Sequence, residues 1–248
     1  MTTQMHLAAQ YLAAAGISFL ENKSDDSHTN LGFSTDRGSL YTRPLNSSGD
    51  LLSLNYHLFT LEWTSHNTIK TLQLNGTSHV EVLQWIRRMA KDSDLDSPYT
   101  YALHYELPYT ITDSYIYTLK DINRLSQLIA YRKLSKFAIQ EFLQNNQLSS
   151  EIRIWPHHFD TGAFASLEDE SGLAIGLGLA IPDTMCNDYY FYISGYQGHD
   201  GLNTSDFKPL TTGKWYSEGF KGAVLPISGV DKTTIIAFFE EAFTAYKN

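Results

Sequence analysis

A chain of 248 residues with 42% apolar side chains can bury a sizeable core, and its net charge of -9 argues against a nucleic-acid partner, which needs clustered Lys and Arg. The single cysteine, Cys186, excludes an internal disulfide and any thiolate-rich metal site. No apolar run is long enough to span a bilayer and the start lacks a basic leader, so the chain reads as a cytoplasmic protein with no membrane partner.

The opening "MHLAAQYLAAAGISFL" predicts a helix with Leu7, Tyr11 and Leu12 on one stripe. Asp25-Asp26-Ser27-His28 reads as a loop, since Asp and Ser favour turns through local hydrogen bonds. "STDRGSL" from Ser34 is a turn signal, and "LSLNYHLFTLEW" at 52–63 reads as one aromatic-rich strand. A short strand and a Gly-containing turn follow, and Ser78 then caps a helix over 79–90 with Val80, Leu83 and Ile86 on one face. "TYALHYELPY" and "SYIYTL" predict a strand pair, with His104 and Glu106 sharing a face as an acid–base pair or as solvated residues. A long helix from Asp121 to Gln144 carries the stripe Ile122, Leu125, Ile129, Phe137 and Phe142, and its basic stretch Arg124 to Lys136 reads as a solvated face.

After "NNQLSSE" comes "IRIWPHHFDTGAF". Strand alternation here sends Trp155, His157 and Phe159 to one face and His158, Asp160 and Gly162 to the other. "GLAIGLGLAIPD" lacks a dinucleotide fingerprint and reads as a twisted strand of alternating small residues. In "DYYFYISGY", Tyr190 and Tyr192 alternate with Tyr189, Phe191 and Ile193, so one set faces the core and the other is free to line a pocket. Asp231 or Thr233 caps a last helix over 234–246, with the stripe Ile235, Phe238, Phe239 and Phe243.

The order of elements repeats. His28-Thr-Asn30-Leu-Gly32 and His158-Phe-Asp160-Thr-Gly162 both fit H-x-[N/D]-x-G, and each precedes a turn signal, an aromatic strand, a short strand and a helix. The expectation is an α+β fold of antiparallel sheets with helices packed on one side and an internal duplication. One compact unit over 1–248 would hold a first repeat at 24–92, connecting strands and a long helix at 98–147, and a second repeat at 151–247.

The "IWPHHFD" strand, the aromatic run "YYFYISGY", the "GAVLP" before the last helix and the earlier His57-Leu58-Phe59 together resemble a bacterial family of unknown function. That family carries a W-x-x-x-F-D strand, an aromatic Tyr/Phe strand and a Leu-Pro before its final helix. The resemblance covers about residues 50–247 and implies an order of elements and no activity. It rests more on Trp155, Phe159 and Asp160 than on His157 or His158.

Three functional readings follow. In the first, His158, Asp160, Tyr190, Tyr192, His28 and Asn30 line a groove between the repeats that binds a small polar or ring-bearing molecule. In the second, His28, His158 and Asp160 hold a divalent transition metal for a hydrolase or isomerase, since imidazole and carboxylate supply such ligands. In the third, the protein is a scaffold whose aromatic face joins another subunit. The structural alternative for the central motif is that Asp160 accepts backbone or tyrosine hydrogen bonds and His158 is a satisfied core residue.

Overall fold

The computed structural model describes residues 1–198 and 200–247. It contains α1 (Thr2–Phe19), β1 (Gly32–Ser34), β2 (Ser39–Tyr41), β3 (Leu51–Asn55), β4 (Thr60–Ser65), β5 (Thr68–Gln73), α2 (His79–Asp92) and α3 (Ile122–Asn145). The order continues with β6 (Arg153–Trp155), β7 (Asp160–Ser166), β8 (Leu173–Ala180), β9 (Tyr190–Gln197), β10 (Asp200–Gly201), β11 (Lys214–Tyr216), β12 (Gly222–Pro226) and α4 (Lys232–Lys247). The architecture is α+β, with two antiparallel sheets of five and seven strands. The chain divides into two units, one of residues 1–131 with Ile154–His157, the other of Arg132–Arg153 with the residues from His158 onward.

In the first unit the sheet is a meander, β1-β2-β3-β4-β5. Its apolar face is set by the pairs Phe33↔Leu40, Leu40↔Leu54, Leu54↔Leu61 and Leu52↔Trp63, and these residues are buried. The expected single strand at 52–63 is instead a hairpin, because Tyr56–Phe59 turns the chain between β3 and β4 with Phe59 at φ 53°. Ser78 and Glu81 close a reciprocal capping box at the start of α2, as the S-x-x-E spacing allows. The buried side of α2 is His79, Val82, Trp85, Ile86, Met89 and Ala90, one residue pair round from the expected stripe of Val80 and Leu83.

α1 is buried over Gln4–Gly16 on every side rather than along one stripe. Gly16 admits the carbonyl of His28, which would lie 2.7 Å from a Cβ at that position. The cover comes from residues 99–118, where the expected strand pair does not form. Tyr99, Tyr101, Leu103, Tyr105, Leu107, Tyr109 and Ile111 turn inward and the intervening residues are exposed, yet no backbone–backbone bond ties 101–111 to the described residues. The segment runs back along α1. Thr100 N donates to Ser18 Oγ at 3.0 Å, Tyr105 Oη to Gln10 Oε1 at 2.7 Å, Tyr109 Oη bonds His6 Nδ1, and Gln4 exchanges two 2.7 Å bonds with the Thr118 backbone. His104 and Glu106 lie on the outer side, where His104 meets Asp26 at 3.2 Å.

In the second unit β11-β12-β9-β8-β7 run in that order, with β10 alongside β9. One face is apolar. Ala163, Leu177, Ile193 and Ala223 form one row and Thr161, Leu179, Phe191 and Leu225 another. Helix α4 covers this face through Phe239, whose ring meets Phe191 edge-on, and Phe142 of α3 packs on Phe239 and Phe243. The expected α4 stripe of Ile235, Phe238, Phe239 and Phe243 is buried, and Asp231 caps the helix by accepting from Thr234 N at 2.8 Å. On α3 the buried ridge is Leu125, Leu128, Ile129, Arg132, Ser135, Ile139 and Phe142, a 3.6-residue repeat. Phe137, expected on that stripe, is 49% exposed because its spacing takes it off the ridge, and Ile122 is 57% exposed as the first residue of the helix.

Candidate functional site

The "WPHHFD" stretch is not a continuous strand. β6 ends at Trp155, Pro156–Phe159 forms a turn and β7 begins at Asp160, so the alternation expected for His157 and His158 does not apply. Phe159 sits at φ 62°, an uncommon conformation for an aromatic residue. The same local shape occurs 100 positions earlier, where His57 is second and Phe59 fourth in the turn before β4. Position 60 there is Thr, whereas position 160 is Asp, so only the second turn delivers a carboxyl group.

Arg132, on the buried ridge of α3, holds the second turn. Its Nη2 donates to Phe159 O at 2.8 Å, its Nη1 donates to Thr161 Oγ1 at 2.5 Å, and its guanidinium lies 4.4 Å from the Phe159 ring centroid. The two hydrogen bonds bracket Asp160 in sequence and set the direction in which its side chain leaves β7. The expectation of a solvated basic face fails at this one residue, which is buried.

Asp160 projects onto the sheet face opposite α4. Rows on this face follow from the register. Gly162, Gly178, Tyr192, Val224 and Lys214 form one, and Phe164, Gly176, Ser194, Gly222 and Tyr216 form the next. β8 contributes only Ala174, Gly176, Gly178 and Ala180 here, a lane with no large side chain of its own. The tyrosines of β9 lie across it. A Cβ at Gly178 would be 2.8 Å from Tyr192 Oη, and one at Gly176 would be 3.2 Å from the Tyr196 ring. Crossing the lane at Gly178, Tyr192 donates its phenol proton to Asp160 Oδ2 on the strand beyond. Two residues earlier on β9, Tyr190 donates to Asp183 Oδ2 at 2.6 Å, while Asp183 Oδ1 accepts from Met185 N and Cys186 N.

Asp160 is only 6% exposed, and its Oδ1 is buried with no hydrogen-bond partner. Burial holds its carboxyl above the usual carboxylate range, against the opposing pull of the Tyr192 hydrogen bond and of the charges on His158 and Arg132. Tyr192 is pushed well above the ordinary phenol range by burial and by Asp160, so it stays a donor. His158 is exposed, close enough to act on Asp160 electrostatically, and is not a core residue. The ring of Phe220 meets Tyr192 edge-on at 6.2 Å.

Within the second unit the structure therefore brings together His158, Asp160, Tyr190 and Tyr192. His28 and Asn30 belong to the first unit, in the turn leading to β1, where both are buried and His28 Nδ1 accepts from Lys23 N at 3.4 Å. The expected tyrosine hydrogen bond to Asp160 is present. Arg132, Asp183 and Gly178 were not anticipated. An arginine at i+3 from Ile129 on the helical ridge was the one available signal for the first of them.

Elsewhere in the first unit a polar cleft of about 570 Å³ lies between Asn46–Ser48 and the end of α2, with Asp94, Asp96 and His66 on its walls. Two of its residues are committed to the fold, since Asp92 pairs with Lys70 at 3.0 Å and Ser93 Oγ accepts from Trp63 Nε1 at 2.9 Å. Among the described residues no group of three or more His, Cys, Asp or Glu is arranged to hold a metal ion, and no helix is long and apolar enough to cross a membrane. No family model, curated protein or solved structure gives a significant match to this chain.

Proposed function

We propose that this is a cytoplasmic protein that binds a small, ring-bearing polar molecule on the tyrosine-lined face of the second unit, with Asp160 as the polar anchor. The observation that carries the reading is the half-satisfied carboxyl of Asp160: one oxygen is held by Tyr192, and the other is buried without a partner. Buried polar atoms in folded chains are nearly always matched, and an unmatched charge-bearing one costs stability. Asp50 in the first unit has two such oxygens; Asp160 is set apart by the tyrosines around it, and its raised pKa is a feature that gathers at functional sites. Tyr190, Tyr192 and His158 surround this anchor, and the exposed Phe164, whose ring lies 5.6 Å from that of Tyr196, extends the same face with aromatic surface.

The test is a ligand-observed NMR screen of a small-metabolite collection against the wild-type chain, Asp160→Asn and Tyr192→Phe. Binders that compete with one another and are lost or weakened at least tenfold in both variants support the reading. A screen that yields no binder, or only binders indifferent to both substitutions, overturns it.

A further inference from the structure

The hydrogens of the two tyrosines and the arginine nearest Asp160 are committed, and that narrows which ligand chemistry its free oxygen takes. Tyr192 gives its phenol proton to Asp160, and Tyr190 gives its own to Asp183. Arg132 directs Nη1 and Nη2 at Thr161 and Phe159. Ser194 Oγ is shared between Gly176 O at 3.4 Å and Tyr196 Oη at 3.0 Å. Asp160 and the two tyrosines bonded on this side therefore offer acceptors: Asp160 Oδ1 and the second lone pairs of the Tyr190 and Tyr192 oxygens. A carboxylate or phosphate ligand would meet these acceptors with acceptors of its own. A group with several N–H donors matches them, and a positive charge is also attracted by the π faces of tyrosines. The face already holds one ammonium in this way, because Lys214 Nζ lies 4.6 Å from the Tyr216 ring centroid, and Lys214 is in the same row as Tyr192.

We propose that the site takes a primary ammonium group carried on a short arm from a flat ring. The ammonium donates to Asp160 Oδ1 and to the tyrosine oxygens, and the ring packs on the outer side of the tyrosines that cover the β8 glycines, toward the exposed Phe164. The inference rests on the tyrosine face being a ligand site, and it adds the charge and donor count of the ligand. Asp160 Oδ1 is shut off from solvent, so entry requires side-chain rotation. Tyr192 and His158, which flank it, both reach solvent.

The probes are phenethylammonium, its neutral isostere 2-phenylethanol and the anion phenylacetate, titrated against the intact chain by calorimetry and by tyrosine chemical shifts. Phenethylammonium should bind saturably and at least tenfold more tightly than 2-phenylethanol, phenylacetate should not bind, and Asp160→Asn should weaken the amine at least tenfold. Asp183→Asn, at an exposed residue, serves as the second variant and should weaken the amine a few-fold. Binding of the alcohol or the anion as tight as that of the amine and lost in Tyr192→Phe would overturn the ammonium assignment while leaving the ligand site standing. Absence of binding by all three probes, or amine binding unchanged in both Asp variants, would also overturn the assignment. The metabolite screen then decides separately on the site itself.

Discussion

Replacing Asp160 by Asn separates a residue kept for a ligand from one kept for the fold. In the wild-type chain the carboxyl is desolvated and one oxygen lacks a donor, a defect worth roughly 1–3 kcal/mol against folding. Asparagine keeps an oxygen to accept from Tyr192 and replaces the other with an amide nitrogen, which is also unmatched but uncharged. The net expectation is a gain of about 1 kcal/mol, a rise in Tm of roughly 2–4 °C for a chain of this length. The pH dependence has a definite sign. Burial raises the folded pKa of Asp160 above its unfolded value of 3.8, so the folded chain holds the proton more firmly. Wild-type stability contributed by this group is therefore greatest below pH 3.8 and falls as pH rises through the folded pKa. The advantage of the variant should be full at pH 8 and shrink as pH is lowered. Urea unfolding followed by circular dichroism at pH 8 and at pH 3.8 measures both effects. A variant less stable by 2 kcal/mol or more would refute the reasoning and make Asp160 a structural residue. So would a gain that does not change with pH.

Arg132→Met removes two hydrogen bonds and a cation–aromatic contact from the Phe159 turn while keeping much of the buried stem; a loss of about 2–4 kcal/mol in urea unfolding is expected, and less than 0.5 would show that the turn holds itself. Gly178→Ala puts a methyl 2.6 Å from Thr161 O and within 3 Å of the Tyr192 ring, so it should cost about 1–3 kcal/mol and change the near-ultraviolet tyrosine signal; an unchanged spectrum would contradict the path drawn for Tyr192. Ser78→Ala breaks the capping box of α2 and should cost about 1 kcal/mol by the same unfolding assay. His79, buried and bonded through Nδ1 to Tyr11 Oη at 2.8 Å, has its pKa lowered from 6.5 by burial. Its contribution is present above pH 6.5 and lost as pH falls through the folded value, so thermal melts should drop between pH 7.5 and 5.5 and flatten in His79→Gln.

Elements whose signals are local were legible in the sequence. The Ser78 cap of α2, the cap at Asp231 (one of two candidates) and four-membered apolar stripe of α4, and the alternation of β9 each depend on residues a few positions apart, and each is found as expected. The site was half legible. Asp160, Tyr190 and Tyr192 share a face because strand geometry puts them there, once β7 is known to begin at Asp160. His158 was named but placed on a strand rather than in a turn, because the turn before β7 needs an aromatic residue at positive φ, a conformation that local rules disfavour and that Arg132 stabilises from 27 residues upstream. Residues 99–111 misled for a different reason. Period-two alternation reports which side of a segment is covered, and an α-helix can cover it as well as a sheet can.

That covering segment has a consequence for how its sequence can vary. A paired strand is held in register by its backbone, so its residues are constrained on both sides and a slip is resisted along its whole length. Residues 101–111 are held on α1 through every second side chain. Ala102, His104, Glu106, Pro108 and Thr110 are then open to wide substitution. Inserting two residues near Glu106 keeps the inward phase and lets the tyrosines on either side still reach His6 and Gln10. Inserting one residue reverses the phase beyond it, turns Tyr109 toward water and uncovers the first half of α1. A two-residue insertion, which must loop out about 7 Å of chain between Tyr105 and Tyr109, is thus tolerated better than a one-residue insertion.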